Sequence, residues 1–417
     1  MGNNSKKNLE KAVGCINFIF DTSNRLQGER TEDIVLELFT NLDYYIRFDQ
    51  ASKAQLHVLL LLIKEIDSDL WFSISERFVY EKLRDVIPKL WIENRKCSRV
   101  DLEYYLDTLR AAPLADFDIV AEIDGIQVES TPFGFHDFMV LKRDEAGSYY
   151  RNKYKLFPPD HIDHALKRLG SEYIVACNVP ARCLYRAYQL GEDKLNKLSL
   201  FLLYVAQKKN YLHRPSVFSS NKIRYNPLCA LSDGILSKDG NFDIMKYIST
   251  PYEINSIEVT NWESHNTRLL SIVSRNSLTE IENRIIKCLS LYRNAVIEER
   301  VERRIFYLCT AIEALIKAPH SEGRSRSLTS NYSEVLAFML GNDYDSRIEI
   351  CDRFRDIYRV RSAVAHGEID VQYDKNIISY SYMYFHQALN TILTKLPYSK
   401  MTDSKSLICE IKRIKFS

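Results

Sequence analysis

The feature that most restricts the fold of this chain is a helical period that persists over its last third. From about residue 266, apolar side chains recur three and four apart through 278–294, 297–317, 332–340, 347–365 and 377–396, which predicts five successive helices. Ser277, three residues ahead of Glu280, has the spacing of a capping box at the start of the first. Each stripe must be buried against another, so residues 266–400 are expected to form an all-α bundle, followed by a basic tail over 401–417.

Upstream the period changes twice. Residues 1–115 read as helical, through Ile34, Leu38, Leu42 and Tyr45 and then Leu56, Leu59, Leu60 and Ile63, with Asp33 marking a start and Pro88 a break. From Asp116, apolar runs flank Asp124-Gly125, a dipeptide suited to a tight hairpin. Residues 133–141 and 173–179 are further strand candidates, with Pro158-Pro159 opening a short helix between them. A helical pattern resumes after Pro180 and runs through Leu195, Leu198 and Leu202 to Ala206. Residues 208–260, with Pro215, Pro227 and Pro251, read as a linker. The expected fold is therefore mainly α with a small β-containing middle domain: 1–115 helical, 116–260 α+β and a candidate sensor, 266–400 bundle, 401–417 tail.

Lys plus Arg minus Asp plus Glu is 57 − 55 = +2, which excludes a whole-chain field that would drive the protein onto nucleic acid or membrane. Any polyanion site must be local. The nine cysteines contain no CxxC and read as reduced core thiols of a cytoplasmic protein. The longest apolar runs, 58–63 and 200–206, fall far short of the ~20 residues that cross a bilayer. The opening MGNNSKKNLEK lacks the apolar core of a signal peptide, and Lys6 stands where myristoylation wants Ser or Thr. No Gly-rich phosphate loop, G-x-S-x-G elbow or HExxH is present. His161 and His164, with Asp160 and Asp163, lack a third partner nearby, so neither metal nor cofactor is expected.

The segment that carries chemistry is Tyr358-Arg-Val-Arg-Ser-Ala-Val-Ala-His-Gly-Glu368. At 100° per residue, Ile350, Ile357, Val360 and Val364 form an apolar stripe, and Arg361 falls within about 40° of Ile357, at its edge. A guanidinium there must be paired or face a groove. Tyr358, Ser362 and His366 make a second, polar stripe. Arg361 and His366 diverge by about 140° on an ideal helix, so they can address one ligand only if the helix ends near Gly367. Arg and His together suit phosphate chemistry: the guanidinium neutralises phosphoryl oxygens, and the imidazole exchanges a proton with a 2′-hydroxyl or a leaving 5′-oxygen.

Arg361-x4-His366, preceded by Tyr358 and followed by Gly367, resembles the R-x4-6-H motif of the HEPN superfamily of all-helical ribonucleases, and YRVRSAVAHG is similar to its Apea-like branch. Upstream, Leu308-Cys-Thr-Ala-Ile-Glu-Ala-Leu315 resembles the helix of that branch that carries an acidic residue, here Glu313, behind the motif. The likeness covers residues 266–400. It implies a metal-independent endoribonuclease whose two protomers pair through the helical domain so that both motifs line one cleft. Arg361 is then the phosphate ligand, His366 the acid or base, Ser362 a residue orienting one of them, and Tyr358 part of the cleft wall. The products implied are a 2′,3′-cyclic phosphate or 3′-phosphate and a 5′-hydroxyl. Such proteins are toxins or anti-phage (abortive infection) effectors, whose N-terminal parts meet a phage-derived trigger or regulatory partner. One position departs from the pattern: the residue after the Arg, often Asn, Asp or His in active members, is Ser362.

Other readings stay open. Arg361 suits an ion pair with Glu313 as well as a phosphate, and His366 suits a helix C-terminus for its macrodipole alone. Lys208, Lys209 and Arg214 interleave with Tyr211 and His213 in a stretch suited to RNA or to a plain charged loop. Arg324 and Arg326 offer a second phosphate contact within the bundle, and 299–304 reads as a solvated helix face with i, i+4 pairs. Against the enzyme stands a non-catalytic HEPN module that binds RNA or dimerises within a defence complex; a third reading is an adaptor whose middle sheet recognises a protein.

Overall fold

The computed structural model describes residues 3–26, 36–39, 45–154, 162, 166, 169, 171–208, 216–217, 235–237, 252–254, 264–316, 328–368 and 372–416 of the chain. The N-terminal layer comprises α1 (Asn3–Leu26), β1 (Leu36–Phe39), β2 (Tyr45–Phe48), α2 (Gln50–Ile66), α3 (Ser68–Ser73), α4 (Glu76–Ile92) and α5 (Arg99–Ala111). Side chains that accept from the first-turn N–H groups start the last four: Asp49, Asp67, Ser75 and Ser98, the last in a capping box with Asp101. Leu9, Ile16, Leu56, Ile63, Leu83 and Leu102 meet in a core of their own, in which the fully buried Tyr105 hydroxyl donates to the Val79 carbonyl at 2.7 Å.

Two expectations for this layer are corrected. The helix through Leu38 and Tyr45 is instead an antiparallel pair, Leu36 opposite Phe48 and Leu38 opposite Ile46. Buried Ile46 and Phe48 flank half-buried Arg47, a period of two that the helical spacing masked over so short a run. Pro88 does not break α4, which runs one more turn to Ile92; its ring is buried, and packing offsets the one lost backbone bond. Ile34, Leu42 and Asp33 lie outside the described residues.

The middle region holds β3 (Ala115–Asp124), β4 (Ile126–Val128), β5 (Phe133–Phe135), β6 (Phe138–Lys142), α6 (Arg143–Lys153), β7 (Tyr173–Ala181), α7 (Leu184–Lys208), β8 (Ser216–Val217), β9 (Ile235–Ser237) and β10 (Tyr252–Ile254). The sheet runs β5-β6-β7-β3-β8, antiparallel, with β9 parallel on β3. Gly125 has the expected positive φ of 74°, but β4 does not fold back on β3 as a hairpin; it pairs in parallel with β10, Ile126 opposite Tyr252. The strand expected over 133–141 is two strands joined by His136-Asp137, with His136 at φ 53°. Helix α6 was not anticipated, and Pro158-Pro159 lie outside the described residues.

The C-terminal bundle is α8 (Ser264–Ser274), α9 (Glu280–Ile297), α10 (Val301–Ile316), α11 (Leu328–Leu340), α12 (Tyr344–Ala365), α13 (Ile377–Thr394), a 3₁₀ turn (Tyr398–Lys400) and α14 (Ser404–Phe416). The five helices expected are present within a few residues. The capping box sits two residues later than expected, on Thr279 and Glu282, and the expected basic tail is largely α14, whose Leu407 and Ile411 are buried. One apolar core runs from the Phe117, Ile119 and Val179 face of the sheet through Leu198 and Phe201 of α7 into Leu308, Ile312, Ile357 and Phe385 of the bundle. The opposite sheet face, with Val120, Leu141 and Ile174, packs on Tyr150 and Tyr154.

Candidate functional site

Helix α12 is started by Asp343, in a capping box with Ser346, and driven inward by Phe354, Ile357 and Val360, all fully buried. Ile350 and Val364, the ends of the expected stripe, are packed against the same core. The helix stops where Gly367 adopts φ 82°. The N–H of Glu368 donates to the Ala363 carbonyl at 3.0 Å and that of Gly367 to the Val364 carbonyl at 3.1 Å, the two bonds of a Schellman ending. His366 is the C-cap, five residues after Arg361, and its N–H still donates to the Ser362 carbonyl at 3.0 Å, so the chain leaves the helix only after it. Its side chain is exposed and makes no hydrogen bond among the described residues.

Arg361 lies at the edge of the buried face, its side chain 26% exposed, and an Nη donates to Glu313 of α10 at 3.1 Å; Glu313 is only 9% exposed. The rings of Tyr358 and Phe306 lie 5.4 Å and 5.7 Å from the guanidinium carbon, so the cation is walled by aromatic surface. Arg361 Nε is buried with no acceptor among the described residues. Tyr358, expected on a cleft wall, is 6% exposed and stacks on Tyr332 at 6.4 Å. Burial first, and then the Glu313 carboxylate, push its hydroxyl up to about 12. Ser362 is half-buried. The expected polar stripe is therefore graded from core at Tyr358 to solvent at His366.

Glu313 also lines a cavity of about 510 Å³ with Asn283, Arg284 and Lys287 of α9, Thr310 of α10 and Tyr332 of α11. Lys287 is exposed, whereas Arg284 is held by the Ala314 carbonyl at 2.6 Å and by Glu280 at 3.3 Å. Sequence reasoning missed this basic face and Phe306; the signal was a basic pair three apart on one helix and an aromatic seven residues before Glu313, each common enough to pass unnoticed. The i, i+4 pairs expected over 299–304 do not form. Arg304 donates to the Glu298 carbonyl at 2.5 Å, and Glu302 accepts from the Tyr373 hydroxyl at 3.1 Å.

The structure thus brings together Arg361, Glu313 and Tyr358 and sets Ser362 and His366 along the same helix end. Lys208 is the last residue of α7, and Lys209, Arg214, Arg324 and Arg326 lie outside the described residues, as do Asp160, His161, Asp163 and His164. Among the described residues no group of three His, Cys, Asp or Glu is placed to hold a metal ion, and no helix is long and apolar enough to cross a membrane. No family model, curated protein or solved structure matches this chain. Chemically, the cluster offers an anion a guanidinium already oriented by a buried carboxylate, with an exposed imidazole five residues further along the same helix.

Proposed function

We propose that the chain is a metal-independent endoribonuclease of HEPN type, acting as a toxin or anti-phage effector and working as a dimer through its C-terminal helical domain. The observation that carries this reading is the end of α12: the Gly367 turn ends the helix directly after an exposed His366, five residues beyond an Arg361 that Glu313 holds in place. On this reading Arg361 takes a non-bridging phosphoryl oxygen. His366 removes the 2′-hydroxyl proton as that oxygen attacks phosphorus, and an imidazolium, from the same or the partner motif, protonates the departing 5′-oxygen. The bond formed is 2′-O–P and the bond broken P–O5′, leaving a 2′,3′-cyclic phosphate and a 5′-hydroxyl. Ser362 orients one of the two groups, and the N-terminal region receives a trigger or regulatory partner.

A non-catalytic RNA-binding or dimerisation module is the second reading. It is favoured by the commitment of Arg361 to Glu313 and by the uncharged, half-buried Ser362. Incubating wild-type and His366→Ala protein with total cellular RNA in EDTA separates the two. Cleavage by wild type alone, with 5′-hydroxyl ends, supports the nuclease; RNA retention by both without cleavage supports the module.

A further inference from the structure

The groove between α9 and α10 has a charge balance that singles out one cation. Its α9 wall repeats at three and four spacing through Glu280, Asn283, Arg284, Lys287 and Leu291, so these side chains share one face of the helix. Thr310, Glu313 and Ala314 line it from α10 and Tyr332 from α11, around a cavity of about 510 Å³. Both carboxylates are already answered. Glu280 accepts from Ser404 and from Arg284, and Glu313 accepts from Arg361 at 3.1 Å. Lys287 is exposed and makes no ion pair among the described residues, so its positive charge stands unmatched in the lining.

The neighbouring polar groups keep capacity for a ligand. Arg284 spends Nε on Glu280 at 3.3 Å and one Nη on the Ala314 carbonyl at 2.6 Å, which leaves it further N–H donors one turn before Lys287. Exposed Asn283 donates to the carbonyls of Leu278 at 3.2 Å and Thr279 at 3.0 Å, so its amide oxygen is left to accept. The Thr310 hydroxyl donates to the Phe306 carbonyl at 2.7 Å, and its oxygen likewise can accept. The rest of the wall is apolar: half-buried Leu291, Ala314 and Tyr332, the last with Tyr358 stacked on one side of its ring. An inorganic anion alone would leave the acceptors and the apolar wall idle. An acidic peptide would find one unmatched cation where it brings several carboxylates.

We propose that this groove holds one nucleotide unit. Its phosphate lies on Lys287 and Arg284, a cation pair on adjacent turns of one helix face, and its sugar hydroxyls or base N–H groups donate to Asn283 and Thr310. The sugar edge and base lie against Leu291 and Ala314, and the volume is in the range of small-molecule sites. The unit comes from one of two sources: a residue of an RNA strand, which rests on the reading that the chain acts on RNA, or a free nucleotide, which does not. In the strand case the groove adjoins the Arg361 phosphate site, because Glu313 lines the one and bonds the other.

Equilibrium dialysis of the full chain in EDTA tests it, with the four nucleoside monophosphates, with adenosine, and with a labelled single-stranded oligoribonucleotide held by His366→Ala protein so that the strand stays whole. Retention of a monophosphate identifies the free nucleotide, and retention of the oligoribonucleotide alone identifies the strand. In either case Lys287→Gln, at an exposed position and folded by circular dichroism, should weaken binding about tenfold. Lys287→Arg should restore it, adenosine should bind more weakly than its monophosphate, and Lys89→Gln, at a remote exposed lysine of α4, should change nothing. No retention of any probe, equal retention by Lys287→Gln, adenosine held as well as its monophosphate, or an equal loss in Lys89→Gln would overturn the proposal. Binding that depends on Lys287 without RNA cleavage by wild type would sink the nuclease and leave the groove; cleavage with binding unchanged in Lys287→Gln would sink the groove alone.

Discussion

At the scale of single residues, Arg361 and His366 differ in how far the fold depends on them. Glu313 is nearly buried, so Arg361→Ala leaves a carboxylate with Tyr358 as its remaining neighbour and is expected to cost about 1–3 kcal/mol of stability. Pairing it with Glu313→Gln should recover part of that loss, and a double-mutant cycle followed by chemical denaturation measures the coupling. His366 is exposed, so His366→Ala should move stability by less than about 0.5 kcal/mol while removing any RNA cleavage. It is accordingly the cleaner variant for activity. Gly367→Ala meets no steric obstacle, but at φ 82° it should cost about 1–2 kcal/mol and misdirect His366. A fall in cleavage larger than the fall in the folded fraction would show that the turn, and not only the imidazole, is required. The spacing of Arg361 and Gly367 was legible from the sequence; the burial of Tyr358 was not, because a tyrosine on a polar stripe becomes core only when a facing ring such as Tyr332 is there to stack on it.

At the scale of elements, α14 shows how a distant side chain completes a helix. The hydroxyl of Ser404 donates to the Glu280 carboxylate, and its backbone N–H does so at 3.2 Å, across 124 residues of sequence. Those bonds from Ser404, with Arg284 adding to them, hold the Glu280 carboxyl down at about 2, against an ordinary 4.5. A depressed folded value means that the contact contributes fully above pH 4.5 and is lost as the pH falls toward 2. In Glu280→Gln, protection of the first-turn amides of α14 by hydrogen exchange should therefore be lower at neutral pH and flat across that window, where wild type shows a decline. That contact was invisible in the sequence because its acceptor lies 124 residues away, beside a local cap in which Asp403 accepts from the Ser406 N–H at 2.9 Å. The same limit explains β1 and β2: the helical spacing from Ile34 to Tyr45 could not outweigh a pairing that exists only once Leu36–Phe39 and Tyr45–Phe48 meet.

At the scale of the molecule, the described chain has an N-terminal core separate from the one shared by sheet and bundle. Polar contacts join the N-terminal layer to the start of α7. The Arg182 side chain donates to the carbonyls of Arg110, at 2.8 Å, and Ala112; Arg186 donates to Phe72 at 2.8 Å; and Arg77 lies 4.0 Å over the Tyr185 ring. A joint of this kind couples two cores weakly, so calorimetry should resolve two transitions, and Arg182→Ala should separate them further without shifting the later one. A single transition unchanged by the substitution would show the cores to be one cooperative unit. Accessibility provides a parallel check. Cys409 is the exposed thiol among the described cysteines, whereas burial pushes Cys177 up to about 12 and raises Cys288 and Cys309 well above the ordinary thiol value. Thiol labelling of the native protein should reach Cys409 first and the buried three only on unfolding.

Period, caps and glycine placement by themselves determined the helices of the last third, the strand content after Asp116 and the end of α12, because each depends on residues within a turn or two of one another. Only the tertiary structure decided what those elements meet: that β4 pairs with β10 rather than β3, that Glu313 stands against Arg361, and that Ser404 bonds Glu280. These contacts span tens to more than a hundred residues. No periodicity encodes them, since they follow from how whole apolar faces pack and which polar groups that packing strands together.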